Sequence, residues 1–118
     1  MQSQIKAGEV YDNSFFDYVD RVSASSARYI VPEVRSLISD IKSVVDFGCA
    51  RGVWLHVWRE FGAQSICGLD GDYVDQNRLQ IPPDAFITHD LSQPIDLGRC
   101  FDLVQSLEVD GQIGRAHV

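Results

Sequence analysis

Between residues 43 and 107, short apolar runs alternate with segments of helical or turn-like spacing, and this alternation restricts the fold more than any other feature. Four runs have the length and aliphatic content of buried strands: Ser43–Phe47, Ser65–Leu69, Ala85–Thr88 and Phe101–Leu107. Helical spacing predicts a helix over Val53–Phe61 that stops at Gly62, and a short helix over Tyr73–Leu79. The order strand, helix, strand, helix, strand predicts an α/β fold with a doubly wound parallel sheet in the order 3-2-1-4.

The first 42 residues have a different pattern, which predicts a separate helical segment. One helical stretch begins near Asn13, and a second runs over Ser25–Ser39. Pro32 lies inside the second stretch and has no amide proton, so we expect a kink or two short helices there. We expect the helices to pack against the sheet and their acids to form a solvated face: Asp12, Asp17 and Asp20.

Composition and charge argue against several classes of partner. The 118 residues carry a formal net charge of −7, which repels nucleic acid and anionic membrane surfaces. No apolar run is long enough to span a bilayer, and the N-terminus has no signal-peptide pattern. The three cysteines form no C-x-x-C pair, and no cluster of residues has metal-ligand spacing. We therefore expect a cytoplasmic protein with reduced thiols and no metal, nucleic-acid or membrane partner.

Acidic residues lie at or just after the ends of three predicted strands. In a doubly wound sheet, ligands bind beyond the carboxyl ends of the strands. The first strand runs into Asp46–Gly52, whose glycines permit a tight turn into a helix and a close approach of the backbone to a ligand. At the ends of the second and third strands, Asp70 can accept hydrogen bonds from ribose hydroxyls and Asp90 from an adenine amino group. Together these features predict a ligand that contains adenosine.

Three segments of the chain resemble class I S-adenosylmethionine-dependent methyltransferases, in particular bacterial enzymes that act on small molecules. Val44–Leu55 looks like their first motif, Gly68–Val74 looks like their second, and Phe101–Val109 is similar to their fourth-strand motif. The resemblance covers roughly Ser43–Val109. It implies a Rossmann-like methyltransferase fold, S-adenosyl-L-methionine as the cofactor, and methyl transfer to a small-molecule acceptor.

The same resemblance assigns the methionine portion of the cofactor to the first loop. Asp46 would face the methionine amino group, directly or through water. The loop backbone would wrap the methionine portion through four residues: Gly48, Cys49, Ala50 and Gly52. Ala50 stands where the family has its middle glycine, and its methyl group fits if the residue has a negative φ.

By the same resemblance, the ends of the later strands hold the rest of the cofactor. Asp70, with Gly71 beside it, would hold the ribose, Asp90 and Leu91 the adenine, and Ser106 would line the sulfonium side. Methyl transfer is a displacement at a carbon that the sulfonium already activates, so the protein contributes mainly proximity and orientation. We therefore assign no catalytic residue from the sequence.

Two other functions stay open at this stage. An NAD-dependent oxidoreductase shares the fold class, but its G-x-G-x-x-G motif would need glycine at Ala50 and at Val53. A non-catalytic module that binds S-adenosylmethionine would have the same cofactor residues as an enzyme. The sequence indicates neither the methyl acceptor nor the oligomeric state.

The last six residues of the chain predict a boundary between native and non-native sequence. Back-translated, Ile113–Val118 can be read as ATC GGA AGA GCA CAC GTC, which resembles a sequencing-library adapter with an in-frame stop directly after it. We therefore expect a helical segment over 1–42, a cofactor-binding α/β half-domain over 43–112, and a non-native tail over 113–118 in which His117 has no role. On this expectation the chain is a fragment, truncated after its fourth strand, and is inactive by itself.

Overall fold

The protein is described here by a computed structural model that covers residues 13–106. Four parallel strands form one sheet in the order β3-β2-β1-β4 within these residues. Their bounds are β1 Ser43–Phe47, β2 Ser65–Asp70, β3 Phe86–Thr88 and β4 Leu103–Gln105. Two helices accompany them in this part of the chain, α1 over Asn13–Leu37 and α2 over Val53–Glu60. The predicted α/β class and the predicted order 3-2-1-4 with parallel strands are confirmed.

The alternation of side chains along β1 divides the core between the two faces of the sheet. Val44 belongs to a cluster that includes α1 and α2, where Leu55 and Trp58 are almost fully buried. Val45 and Phe47 point to the other face, because successive side chains of a strand alternate. That second face is covered by partly buried apolar residues from the connection that leads to β4: Leu91, Ile95, Leu97 and Phe101.

Helix α1 differs from the prediction, because it is one helix of 25 residues that continues through Pro32. It packs chiefly on α2, with Ala27 and Val31 fully buried between the two, and less directly on the sheet than we expected. Burial of these side chains offsets the loss of one backbone hydrogen bond at proline. Neither α1 nor another helix of residues 13–106 is long and apolar enough to cross a membrane.

Three other elements are shorter than the sequence pattern predicted. The segment predicted as a helix over Tyr73–Leu79 forms only a 3-10 turn at Gln76–Arg78. The third strand starts after a second 3-10 turn, Pro83–Ala85, and the fourth begins at Leu103. Asp12, Leu107 and the predicted tail 113–118 lie outside the described residues.

Asp102 joins the start of β1 to the segment that enters β4. Its Oδ2 accepts hydrogen bonds from the amides of Lys42 at 2.8 Å and Ser43 at 3.0 Å. In return, the Asp102 amide donates to the Ser43 hydroxyl at 2.9 Å. The hydrogen bond from the Lys42 amide is the largest of the effects that lower the pKa of the Asp102 carboxyl.

We expect Asp102→Asn to lower stability at neutral pH, because it removes the charge from an acceptor of two backbone hydrogen bonds. Folding lowers the pKa of the Asp102 carboxyl, so its ionised form stabilises the fold at pH values above the unfolded-state pKa of about 4. This stabilisation is lost as the pH falls through the pKa of the folded state. Urea unfolding midpoints from neutral to acidic pH should therefore show a difference from wild type that shrinks in acid. Asp84→Asn, at an exposed turn position, serves as the control. A difference that stays constant with pH would contradict the role of the Asp102 charge.

Candidate functional site

An open cleft of about 790 Å³ lies beyond the carboxyl ends of β2 and β3. Its walls are residues 70–73, which begin at the last residue of β2, and residues 88–92, which begin at the last residue of β3. Four of the predicted cofactor residues line it together: Asp70, Gly71, Asp90 and Leu91. The volume lies in the range of small-molecule sites.

The walls of this cleft carry an excess of acidic groups. Asp70, Asp72 and Asp90 contribute carboxylates, and the residues that line the cleft include neither lysine nor arginine. His89 also lines the cleft, and its Nε2 lies 2.9 Å from the carbonyl oxygen of Gln93. The cleft therefore suits ligands that donate hydrogen bonds or carry positive charge, and it disfavours phosphates.

Asp70 is almost completely buried at the base of the cleft, with 2% of its surface exposed. Its Oδ2 accepts a hydrogen bond from the Ala50 amide at 2.7 Å, and its Oδ1 accepts one from the Gly71 amide at 2.8 Å. The Tyr73 hydroxyl donates to the same Oδ1. Asp70 thus holds the first loop in addition to facing the cleft. Our sequence analysis did not assign Tyr73 to the site, although Tyr73 lies three residues after Asp70 in the segment Gly68–Val74 that resembles the second motif.

The backbone amides of the loop between β1 and α2 donate hydrogen bonds to other groups of the protein. The amides of Gly48 and Cys49 donate to the Leu69 carbonyl at 2.7 and 3.1 Å. The Gly52 amide donates to the Cys49 carbonyl at 2.8 Å, and the Ala50 amide donates to Asp70. These four amides are therefore not directed at a ligand carboxylate or phosphate in this conformation.

Ala50 adopts a backbone conformation that the sequence analysis did not expect. Its φ is +52°, in the left-handed region, between Gly48 at +84° and Gly52 at +86°. The condition of a negative φ, which we attached to alanine at this position, is therefore wrong. A left-handed conformation costs an L-residue about 1–2 kcal/mol. The hydrogen bond from the Ala50 amide to Asp70 helps to hold it there.

We expect Ala50→Gly to raise the free energy of unfolding by about 1 kcal/mol, because glycine adopts positive φ without this steric cost. Urea denaturation at neutral pH measures the change. Ala24→Gly, in helix α1, provides a matched control and should lower the free energy of unfolding by about 0.5–1 kcal/mol. Equal destabilisation by both substitutions would show that Ala50 is not strained.

Asp90 and Leu91 form the outer wall of the cleft. Asp90 is exposed, and its Oδ1 accepts hydrogen bonds from the Ser92 amide at 3.0 Å and the Ser92 hydroxyl at 2.7 Å. The hydrogen bond from the Ser92 side chain is the main cause that lowers the pKa of the Asp90 carboxyl, so this acid is ionised at neutral pH. Leu91 packs against the apolar cluster on the second face of the sheet. The cleft wall therefore combines a charged acceptor with an apolar side chain.

A family model described as a methyltransferase domain matches residues 13–114. The chain belongs to this methyltransferase domain family. The match runs from the start of α1 through all four strands, so it includes both the loop and the cleft. Curated proteins and solved structures gave no significant match.

Three other predicted site residues of this methyltransferase domain lie apart from the cleft wall. Asp46 is 3% exposed at the end of β1, between Gly68 of β2 and Gln105 of β4 in the sheet register. Cys49 is buried, and burial is the main cause that raises the pKa of its thiol, followed by the charges of Asp46 and Asp70. Ser106 is half-buried directly after β4, and its hydroxyl has no hydrogen-bond partner among residues 13–106.

The raised pKa of Cys49 keeps its thiol protonated, which argues against a nucleophilic role in this methyltransferase domain. Within the described part of the chain, no three His, Cys, Asp or Glu side chains are grouped so that they could hold a metal ion. The chemistry that the site residues offer is therefore hydrogen bonding and charge.

Arg51 connects the loop of the methyltransferase domain to helix α1, a contact that the sequence analysis missed. Its buried guanidinium lies 3.3 Å from Asp17 and 3.4 Å from Asp20. The predicted solvated acidic face is therefore wrong for Asp20, whose side chain is 18% exposed, whereas Asp17 pairs with Arg51 but stays 52% exposed. Partial burial raises the pKa of Asp20, whereas the charge of Arg51 lowers it. The Arg51 carbonyl also accepts a hydrogen bond from the Gln80 amide at 2.7 Å, so the residue is held at both ends.

We expect Arg51→Met to lower the free energy of unfolding by about 2–4 kcal/mol, because it leaves a partly buried carboxylate beside an uncharged side chain. Asp20→Asn in the Arg51→Met background should recover part of this loss, since it removes the unpaired charge. Urea unfolding of the two single variants and the double variant gives the coupling between the side chains. Additive losses, without recovery, would show that the ion pair does not stabilise the fold.

Proposed function

We propose that this methyltransferase domain uses S-adenosyl-L-methionine as its methyl donor and binds the adenosine part in the cleft beyond β2 and β3. One observation carries the proposal: the buried carboxylate of Asp70 and the ionised carboxylate of Asp90 line the same cleft. Asp70 ends β2 and Asp90 follows β3, and these parallel strands are neighbours in the sheet. Such a pair of acceptors suits a nucleoside that donates hydrogen bonds from its sugar and its base.

The chemistry of the cleft residues fits the cofactor. Asp70 would accept hydrogen bonds from the ribose, Asp90 would accept one from the adenine amino group, and Leu91 would contact the base. The acidic lining suits a ligand with a sulfonium and an ammonium group. When bound, the cofactor supplies a methyl group that positive sulfur activates for displacement.

The residues around the loop would orient the methionine portion. Asp46 is a buried acid at the end of β1, and a carboxylate there is a suitable partner for an amino group. Because the amides of Gly48, Cys49, Ala50 and Gly52 already donate within the protein, we assign the loop to shaping the site and not to anion binding. Ser106, whose hydroxyl has no hydrogen-bond partner within the described chain, would face the sulfonium side. Proximity and orientation would then be the contribution of the protein.

The same observations argue against the dinucleotide alternative. An NAD pyrophosphate needs backbone amides at the first loop, and the amides of Gly48, Cys49, Ala50 and Gly52 are engaged elsewhere. The residues that line the cleft include three aspartates and neither lysine nor arginine, so the cleft would repel phosphates. Ala50 also replaces a glycine that the dinucleotide motif requires.

We propose a small molecule as the methyl acceptor, since the net charge of −7 argues against nucleic acid. The cytoplasm is the compartment that we propose, because Cys49, Cys67 and Cys100 are free thiols. Transfer of a labelled methyl group from S-adenosylmethionine to cell-extract metabolites would exclude a non-catalytic binding module.

We expect S-adenosylhomocysteine to bind and Asp70→Asn to weaken its binding about tenfold or more, because a hydrogen bond to a charged acceptor contributes about 1.5–3 kcal/mol. Isothermal titration calorimetry measures the dissociation constants. Asp96→Asn makes the same charge change at a residue that does not line the cleft and should leave the dissociation constants unchanged. Thermal melting of each variant reports whether the loop that Asp70 holds is still folded.

Two results would contradict the proposal. One is an affinity of Asp70→Asn within about a factor of two of wild type. The other is tighter binding of NADH than of S-adenosylhomocysteine.

A further inference from the structure

Tyr73 combines a highly exposed ring with a hydroxyl that reaches a buried acid. The residue is 77% exposed, but its hydroxyl donates a hydrogen bond to Oδ1 of Asp70, which is only 2% exposed. The edge of the ring lies directly over Gly71, where a Cβ would come within 2.6 Å of Cε2 of Tyr73. Tyr73 therefore crosses the end of β2 and covers the carboxylate that faces the cleft.

The acceptor sites of Asp70 are nearly all in use. A carboxylate offers about four lone-pair positions, two on each oxygen. Oδ1 accepts from the Gly71 amide and the Tyr73 hydroxyl, and Oδ2 accepts from the Ala50 amide. Two ribose hydroxyls need two positions, and only one is left. The amides belong to the backbone of the site, so the Tyr73 hydroxyl is the donor that can leave.

We propose that Tyr73 sets the ligand affinity of this site by occupying, with its hydroxyl, the Asp70 position that a ribose hydroxyl of the nucleoside takes. The inference rests on the proposed function and adds a competing group from the protein itself. A ribose must displace Tyr73 from Asp70, so each binding event gives up one hydrogen bond within the protein. A ligand without a sugar does not need this exchange.

The state of the phenol agrees with this role. The ring of Tyr73 is exposed, but its hydroxyl end is partly buried beside Asp70. This partial burial is the main cause that raises the pKa of Tyr73, and the hydrogen bond to Asp70 is the next. The phenol therefore remains protonated at neutral pH and continues to donate. Its exposed ring has room to swing away from Gly71 without disturbing the core.

The test compares Tyr73→Phe with Tyr29→Phe, a substitution in α1 at a residue of the same 77% exposure. Calorimetric titration of the 118-residue chain with S-adenosylhomocysteine should show binding about fivefold or more tighter for Tyr73→Phe, and unchanged for Tyr29→Phe. Adenine, titrated by nuclear magnetic resonance as a ligand without ribose, should bind both variants as it binds wild type. Tyr73→Leu also lacks the hydroxyl and replaces Tyr73→Phe if thermal melting shows that the latter does not fold.

The outcomes separate this inference from the proposed function. Equal or weaker binding of S-adenosylhomocysteine to Tyr73→Phe, with clear binding to wild type, overturns the inference alone. An equal gain for adenine also overturns it, since the ring would then obstruct the base and not compete for Asp70. Absence of S-adenosylhomocysteine binding to wild type and to all variants overturns the proposed function, and the inference with it.

Discussion

The carboxylate of Asp70 is the interaction on which the rest of the site depends. It ends β2, receives the Ala50 amide from the loop after β1, and receives the Gly71 amide and the Tyr73 hydroxyl from the segment that lines the cleft. A buried carboxylate is stable only when hydrogen bonds replace the water that it has lost. The three donors to Asp70 belong to the loop after β1 and to the segment that lines the cleft. The same hydrogen bonds therefore stabilise the loop and fix the shape of the cleft.

Hydrogen bonds and ion pairs hold the loop between β1 and α2 in a backbone conformation that is unfavourable at one residue. Ala50 lies in the left-handed region, which is unfavourable for a residue with a Cβ. The Asp70 carboxylate accepts a hydrogen bond from the Ala50 amide, and the Leu69 carbonyl accepts from the amides of the two residues after β1. Arg51 joins the loop to Asp17 and Asp20 of α1. Helix α1 thus helps to support the loop between β1 and α2.

The acidic cleft also explains why one fold class does not imply one ligand. A parallel sheet with a glycine-rich loop serves phosphates when the loop amides and basic side chains point to the ligand. In this methyltransferase domain the four loop amides at Gly48–Ala50 and Gly52 donate within the protein, and the lining of the cleft is acidic. A phosphate site and this cleft therefore differ in whether the loop amides already donate hydrogen bonds within the protein, and the spacing of a motif does not show this.

The sequence by itself determined the parallel sheet, its strand order and the meeting of Asp70 and Asp90 at one edge, because apolar periodicity is local and parallel connections allow few topologies. Only the tertiary structure decided that α1 continues through Pro32, that Ala50 takes a positive φ, and that Arg51 pairs with acids of α1. Each of these depends on contacts between segments distant in the chain, where burial or charge pairing outweighs a local preference. A local pattern carries no information about such partners.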